Sequence, residues 1–248
     1  MVPSFPDYNI TYVALAFLPP LIWLFFYLQE DRHPEPKALI LSTFIGGIIA
    51  AIGAIFAECA FFLVLTRNSC ENPDIFFLVN PLILFAGISL IEEYAKYLAV
   101  KFIALRNKNF DEPIDAMIYM MTAAMGFAAF ENQLFLIFTP LFRDNFFAGL
   151  TLTASRFLGA NLLHALSSGI LGFFLARAWF HPRRHHFIFL GAIIAGILHT
   201  IFNYLILIRD DLEQGILYVV LLLAIMTIVV LIEFQRLKHQ EPQTILKS

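Results

Sequence analysis

Residues 77–103 read FLVNPLILFAGISLIEEYAKYLAVKFI. Most of this stretch is apolar enough for a lipid bilayer, yet Glu92, Glu93 and Lys96 sit in its middle. Each ionisable group at the bilayer centre costs on the order of 2.5–3.5 kcal/mol on insertion scales, and such groups face a protein interior or a water-filled cavity. Shelter of that kind inside a membrane comes from a bundle of spanning helices. The stretch therefore points both to the fold class and to a functional site.

The rest of the chain agrees. Of its 248 residues, 60% are hydrophobic and 14% are charged, against roughly 25% charged in a soluble domain. Apolar runs separated by polar breaks predict an all-α polytopic bundle of about seven spans, near 10–28, 38–65, 77–103, 114–139, 147–176, 187–208 and 215–234. The runs are continuous rather than alternating, which excludes a barrel. The first run lacks a basic leader and a small-residue cleavage site, so it reads as a retained span. No repeat or low-complexity segment divides the chain, and residues 1–248 read as one integral-membrane domain. Cys59 and Cys70 have no metal-site spacing, and no basic tract suggests nucleic acid.

Lysine and arginine set the expected orientation. Eleven of them (Arg32, Lys37, Lys101, Arg106, Lys108, Arg177, Arg183, Arg184, Arg236, Lys238 and Lys247) fall on the side of the C-terminus. Only Arg67, Arg143 and Arg209 fall on the other. The expectation is an outside N-terminus and a cytoplasmic C-terminus, in a prokaryotic plasma membrane.

The remaining intramembrane polar groups are few: Glu58, Glu131, Asn132, Gln133, Arg156, Asn161, His164, His199 and Asn203. Glu92 and Lys96 are spaced i,i+4 and share a helix face, so they are expected to pair. Glu93 is rotated by about 100° toward another helix. His199 and Asn203 share one face, as do His164 and Ser168, with Asn161 one turn earlier. Arg156 is expected to orient a glutamate. Glu58 reads as structural, and Asp115 and Glu233 lie near helix ends where a charge is ordinary.

Two chemistries suit this set. In one, a desolvated glutamate, Glu92 or Glu93, activates water as general base, His164 shares the proton, and His199 with Asn203 stabilises an oxyanion. In the other, two histidines and a carboxylate (His164, His199 and Glu93) form a three-ligand zinc site with a fourth position for water. The absence of HExxH means that separate helices would assemble such a site. Other classes are also open: a structural ion pair at Glu92/Lys96, a bis-histidine haem protein on His164 and His199, or a proton- or ion-coupled transporter. Inverted repeats, however, are not apparent. A retinal protein is excluded, because residues 215–234 hold no lysine.

Five motifs in order carry a family resemblance: DRHPEPKALI (31–40), IEEYAKYLAV (91–100), DEPIDAMIYMMTAAMGFAAFEN (111–132), Arg156 with His164 eight residues on, and HTIFN (199–203). Together, over about residues 30–204, they resemble the PrsW family of intramembrane proteases, relatives of the CAAX-processing and bacteriocin-processing membrane endopeptidases. The resemblance implies a peptidase acting on membrane-associated proteins, an anti-sigma factor in the founding members. It places functional roles on Glu92, Glu93, Glu131, His164, His199 and Asn203, with Lys96, Arg156 and Asn161 in support. Phe135 stands where the family often has tyrosine.

Overall fold

The computed structural model describes residues 10–31, 33–67, 79–138, 145–179, 184–207 and 212–238. Among these residues there are helices and no strands. They are α1 (Ile10–Leu28), α2 (Lys37–Thr66), α3 (Pro81–Ile103), α4 (Asp115–Phe138), α5 (Phe146–Leu158), α6 (Ala160–Trp179), α7 (Arg184–Leu207) and α8 (Leu212–Lys238). The polar residues between the apolar runs do the capping. Asn80 accepts from the Leu82 amide at 2.9 Å ahead of Pro81, whose missing N–H costs nothing at a helix start. Asn145 accepts from the Ala148 amide at 3.2 Å to begin α5. Helix α2 ends at Arg67 in the left-handed conformation (φ 57°), its amide bonded back to Leu63.

Among the described residues, six segments are long and apolar enough to cross a membrane: α1, α2, α4, the α5–α6 pair taken together, α7 and α8. Helix α3 is long enough, but every 18-residue window of it contains Glu92, Glu93 and Lys96. The charges that flag the site are what set α3 apart.

Helix α4 is the axis of the bundle. Every residue from Asp115 to Ala129 is buried, with α1, α2 and α6 packed around it. The α2–α4 crossing is backbone to backbone. A Cβ on Gly47 would lie 2.0 Å from the Ala123 carbonyl oxygen, and one on Gly126 would lie 1.9 Å from that of Phe44. No other residue fits at either place, and small residues at such crossings are how membrane helices come close. Helix α7 fills the space between α6 and α3, and α8 lies against α6 and α7. The outward faces of α1, α2, α7 and α8 are rich in exposed Phe, Leu, Ile and Val, as lipid contact requires.

The segment expected as a span at 147–176 is one membrane-length stretch, but its helix is interrupted at one residue. Gly159, at φ −103° and ψ −94°, leaves the helical region and separates α5 from α6. Glycine holds a helix less firmly than any residue but proline. The Phe157 carbonyl, close to the break, accepts the Trp23 indole N–H of α1 at 2.8 Å. The Trp23 and Phe157 rings stack with centroids 5.1 Å apart.

Candidate active site

Glu92, Glu93 and Lys96 on α3, Glu131 on α4, His164, Ser167 and Ser168 on α6, and His199 on α7 meet in one buried cluster. The i,i+4 pairing expected for Glu92 and Lys96 is not the closer one. Lys96 Nζ lies 2.8 Å from Glu93 Oε1 and 3.7 Å from Glu92 Oε2. Both spacings bring a lysine over a glutamate; the groups offered by α6 and α7 decide between them. Ser167 and Ser168 donate to the two oxygens of Glu93, each at 2.9 Å, and His199 Nδ1 lies 3.1 Å from Oε1. Glu93 is thus surrounded by donors.

These contacts determine the histidine tautomers. A lysine ammonium can only donate, so His164 Nδ1, 2.8 Å from Lys96 Nζ, is the acceptor. Its Nε2 then donates to Glu131 Oε2 at 2.6 Å. His199 Nδ1 donates to Glu93 and leaves the Nε2 lone pair toward Glu92 Oε2, 3.7 Å away. The two imidazoles meet edge to face with centroids 5.0 Å apart. Glu92 Oε2 lies 3.9 Å from His164 Nδ1 and is a buried oxygen without a hydrogen-bond partner.

Glu92, His164 and His199 can therefore each offer a donor atom, all within 4.8 Å of one another. Zinc bonds of about 2.0–2.2 Å put tetrahedral ligands roughly 3.3–3.6 Å apart, close to the 3.7 and 3.9 Å measured from Glu92. Each histidine is also backed by its own carboxylate, as metal-bound histidines usually are. The residues fit a zinc ion. The glutamate in this set is Glu92, whereas Glu93, the carboxylate expected from sequence, stands behind His199.

Glu131 is held from the far side. Arg156 Nη2 lies 3.3 Å from Glu131 Oε2, and the Arg156 guanidinium stacks 4.2 Å over Phe135. Arg156 Nε also donates to Asn132 Oδ1, and the Asn132 amide donates to the Ala16 carbonyl of α1 at 3.0 Å. Glu58 and Glu131 line one cavity of about 140 Å³, walled by Phe127, Phe130 and Phe135. Phe127 packs against His164 at 5.6 Å and beneath Lys96 at 4.6 Å.

Two expected residues stand apart. Asn203 is half-buried one turn beyond His199 and takes no part in the cluster. Asn161 is buried with both side-chain polar atoms unpaired. Ser167 and Phe127 were not anticipated, and Asn132 was counted among the intramembrane polar groups without a role. The polar steps His164–Ser167–Ser168 along one helix face were the available signal for Ser167. Cys59 is disulfide-bonded and is not a nucleophile.

A helical membrane bundle that buries two histidines, each oriented by its own carboxylate, around a third carboxylate with an oxygen free of hydrogen bonds has the makeup of an intramembrane hydrolase. The chain belongs to the PrsW family of intramembrane metalloproteases, whose family model matches residues 35–232. It is a multi-pass membrane peptidase of the bacterial cell membrane. Protease PrsW of Geobacillus kaustophilus (strain HTA426) is 25% identical to it over 187 residues, 75% of either chain. Protease PrsW of Oceanobacillus iheyensis is 26% identical over 235 residues, covering 94% of this chain and 98% of that one. Protease PrsW of Clostridioides difficile (strain 630) is 25% identical over 214 residues, 84% and 85% of the two chains. No solved structure matches the chain.

Proposed function

We propose that this peptidase hydrolyses peptide bonds of membrane-anchored proteins, a regulator such as an anti-sigma factor among them, at a zinc ion held by Glu92, His164 and His199. One observation carries the reading: Glu92 Oε2, a buried oxygen with no hydrogen bond, lies 3.7 Å from His199 Nε2 and 3.9 Å from His164 Nδ1, with Lys96 Nζ the cation beside it. Bound zinc supplies Lewis acidity and an activated water near neutral pH. The protein's own groups do the rest. Glu93 and Glu131 hold His199 and His164 in the tautomers that aim their lone pairs at Glu92. Glu131, bordering the cavity shared with Glu58, receives the proton from water and returns it to the leaving amine. Lys96, retained by Glu93, faces the developing oxyanion. The lysine and arginine bias supports seven spans, α3 included, with the N-terminus outside.

One observation favours a second reading. Lys96 Nζ occupies the His164 lone pair at 2.8 Å, an arrangement that works without metal if Glu92 is the general base. Elemental analysis of the protein in lipid nanodiscs, with cleavage of a membrane-anchored substrate before and after chelation, separates the two. Zinc chemistry predicts about one equivalent of metal, lost together with activity in Glu92→Gln and His199→Ala. Chelator-resistant cleavage that still disappears in Glu92→Gln supports the metal-free base. Cleavage surviving both substitutions ends both readings.

A further inference from the structure

A second group of acidic residues lies away from the site, where the segment joining α1 to α2 meets the one joining α3 to α4. Glu35, Asp111 and Asp115 each bring a carboxylate oxygen within 4.8 Å of the others. Two of these residues are already held in place. Asp115 Oδ2 accepts the amides of Asp111 and Glu112 at 2.9 and 2.8 Å. Tyr119, one turn further along α4, donates its hydroxyl to Glu35 Oε2. The Glu35 and Asp115 carboxyls also lie within hydrogen-bond reach of each other, so they share a proton unless a cation takes its place.

An independent observation comes from Asp31. It is 8% exposed, and its Oδ2 is a buried oxygen with no hydrogen-bond partner. Its Oδ1 accepts the His33 amide at 2.9 Å. The carboxylate lies near the Glu35 backbone and close enough to Glu35 and Glu112 for mutual repulsion. It therefore sits beside Glu35, at the edge of the acidic group. A buried acceptor left without a donor is costly and uncommon. The nearby cations do not relieve it: His33 is paired with Glu112 at 2.7 Å, and Lys238 is paired with Glu30. Among the described residues, no lysine or arginine forms an ion pair with Asp31, Glu35, Asp111 or Asp115.

We propose that this junction binds one hard divalent cation, held by Glu35, Asp111 and Asp115 with Asp31 completing the oxygen set. The donors are all oxygens, which suits magnesium or calcium and sets the site apart from the Glu–His–His cluster. Calcium–oxygen bonds of about 2.3–2.6 Å place opposite ligands roughly 4.6–5.2 Å apart, and magnesium–oxygen bonds of about 2.0–2.1 Å roughly 4.0–4.2 Å apart, so oxygens within 4.8 Å of one another can share either ion. Either ion ties two loops that are about 80 residues apart in sequence to the start of α4.

The test uses the full chain in lipid nanodiscs, stripped with chelator and then titrated separately with MgCl2 and CaCl2 by calorimetry and thermal unfolding. Wild type and His199→Ala, which lacks only the other cluster, should bind one equivalent alike and gain thermal stability alike. Asp111→Asn, at an exposed position that leaves the fold intact, should bind at least tenfold more weakly, as should Glu35→Gln. Asp31→Asn should weaken binding and stabilise the chelated protein. Absence of saturable binding, equal binding in wild type, Asp111→Asn and Glu35→Gln, or stabilisation by acid alone with no response to either cation would overturn the proposal.

Discussion

Two carboxylate clusters sit in this protein, and they manage negative charge in opposite ways. At the bundle centre, Glu92, Glu93 and Glu131 are interleaved with Lys96, Arg156, His164 and His199, so positive charge and donors are built into the helices. At the junction of the two loops, Asp31, Glu35, Asp111 and Asp115 crowd together with no lysine or arginine paired to them among the described residues. The first cluster is nearly satisfied by its own chain and leaves one oxygen, on Glu92, for chemistry. The second has amides, a tyrosine hydroxyl and a carboxyl–carboxyl contact but no cation of its own, and the proposed divalent ion would supply one. Buried charge is costly wherever it occurs; what differs is whether the compensation is covalently part of the fold.

Breaking the internal compensation should do the most damage. Lys96 is fully buried and touches Glu93, Glu92 and His164 at once. Lys96→Met leaves Glu93 buried without its ammonium, and removing one partner of such a pair typically costs about 3–5 kcal/mol. The expected result is a sharply lower unfolding midpoint and poor recovery from membranes, measured in matched nanodiscs. A midpoint unchanged from wild type would show that the serines and His199 suffice to hold Glu93.

Glu131→Gln makes a smaller and more local change. It keeps a hydrogen-bond acceptor for His164 Nε2 but removes the charge that orients the ring. Loss of a carboxylate behind a ligating histidine typically costs about 10–100-fold in metal affinity or activity, and loss of the proton-transfer role proposed for Glu131 a further ~10²–10⁴-fold in activity. That loss, read as kcat/KM on a membrane-anchored substrate, should appear with near-normal unfolding. Activity within twofold of wild type would remove Glu131 from the site.

The smallest effect concerns the outer cluster and pH. Burial pushes the Asp31 and Glu35 carboxyls above their usual range, with neighbouring acids adding to the rise. A carboxyl raised on folding stabilises fully below its unfolded value, about pH 4. The contribution is lost as pH rises through the folded value. The chelated protein should therefore lose stability as pH climbs from about 4 toward neutrality, and saturating cation should flatten that slope. A slope identical with and without cation would mean that the two clusters are not distinguished in this way.

Much of the central cluster was legible in the sequence because charges inside apolar runs have few innocent explanations. Glu92, Glu93, Lys96, Glu131, His164 and His199 all stood out on that ground, and the structure brings them together. What the pattern could not decide was which glutamate Lys96 reaches. Positions i+3 and i+4 lie on the same helix face, and the choice rests on Ser167, Ser168 and His199, which arrive from other helices. Gly159 was visible, but glycine is common in membrane helices, and its break depends on the Trp23 indole reaching across from α1. Asp115 was passed over because a charge at a helix end is ordinary. Its neighbour Glu35 lies 80 positions earlier, a distance at which no local spacing carries information.

The glycine crossing between α2 and α4 has a mechanical meaning. With backbone against backbone at Gly47 and Gly126 and neighbours on every side, α4 is a strut that cannot flex or roll. It carries Tyr119 near one end and Glu131 near the other, about 18 Å apart at 1.5 Å per residue. The Tyr119–Glu35 contact and the 2.6 Å Glu131–His164 contact therefore ride on one helix whose place is fixed by that crossing.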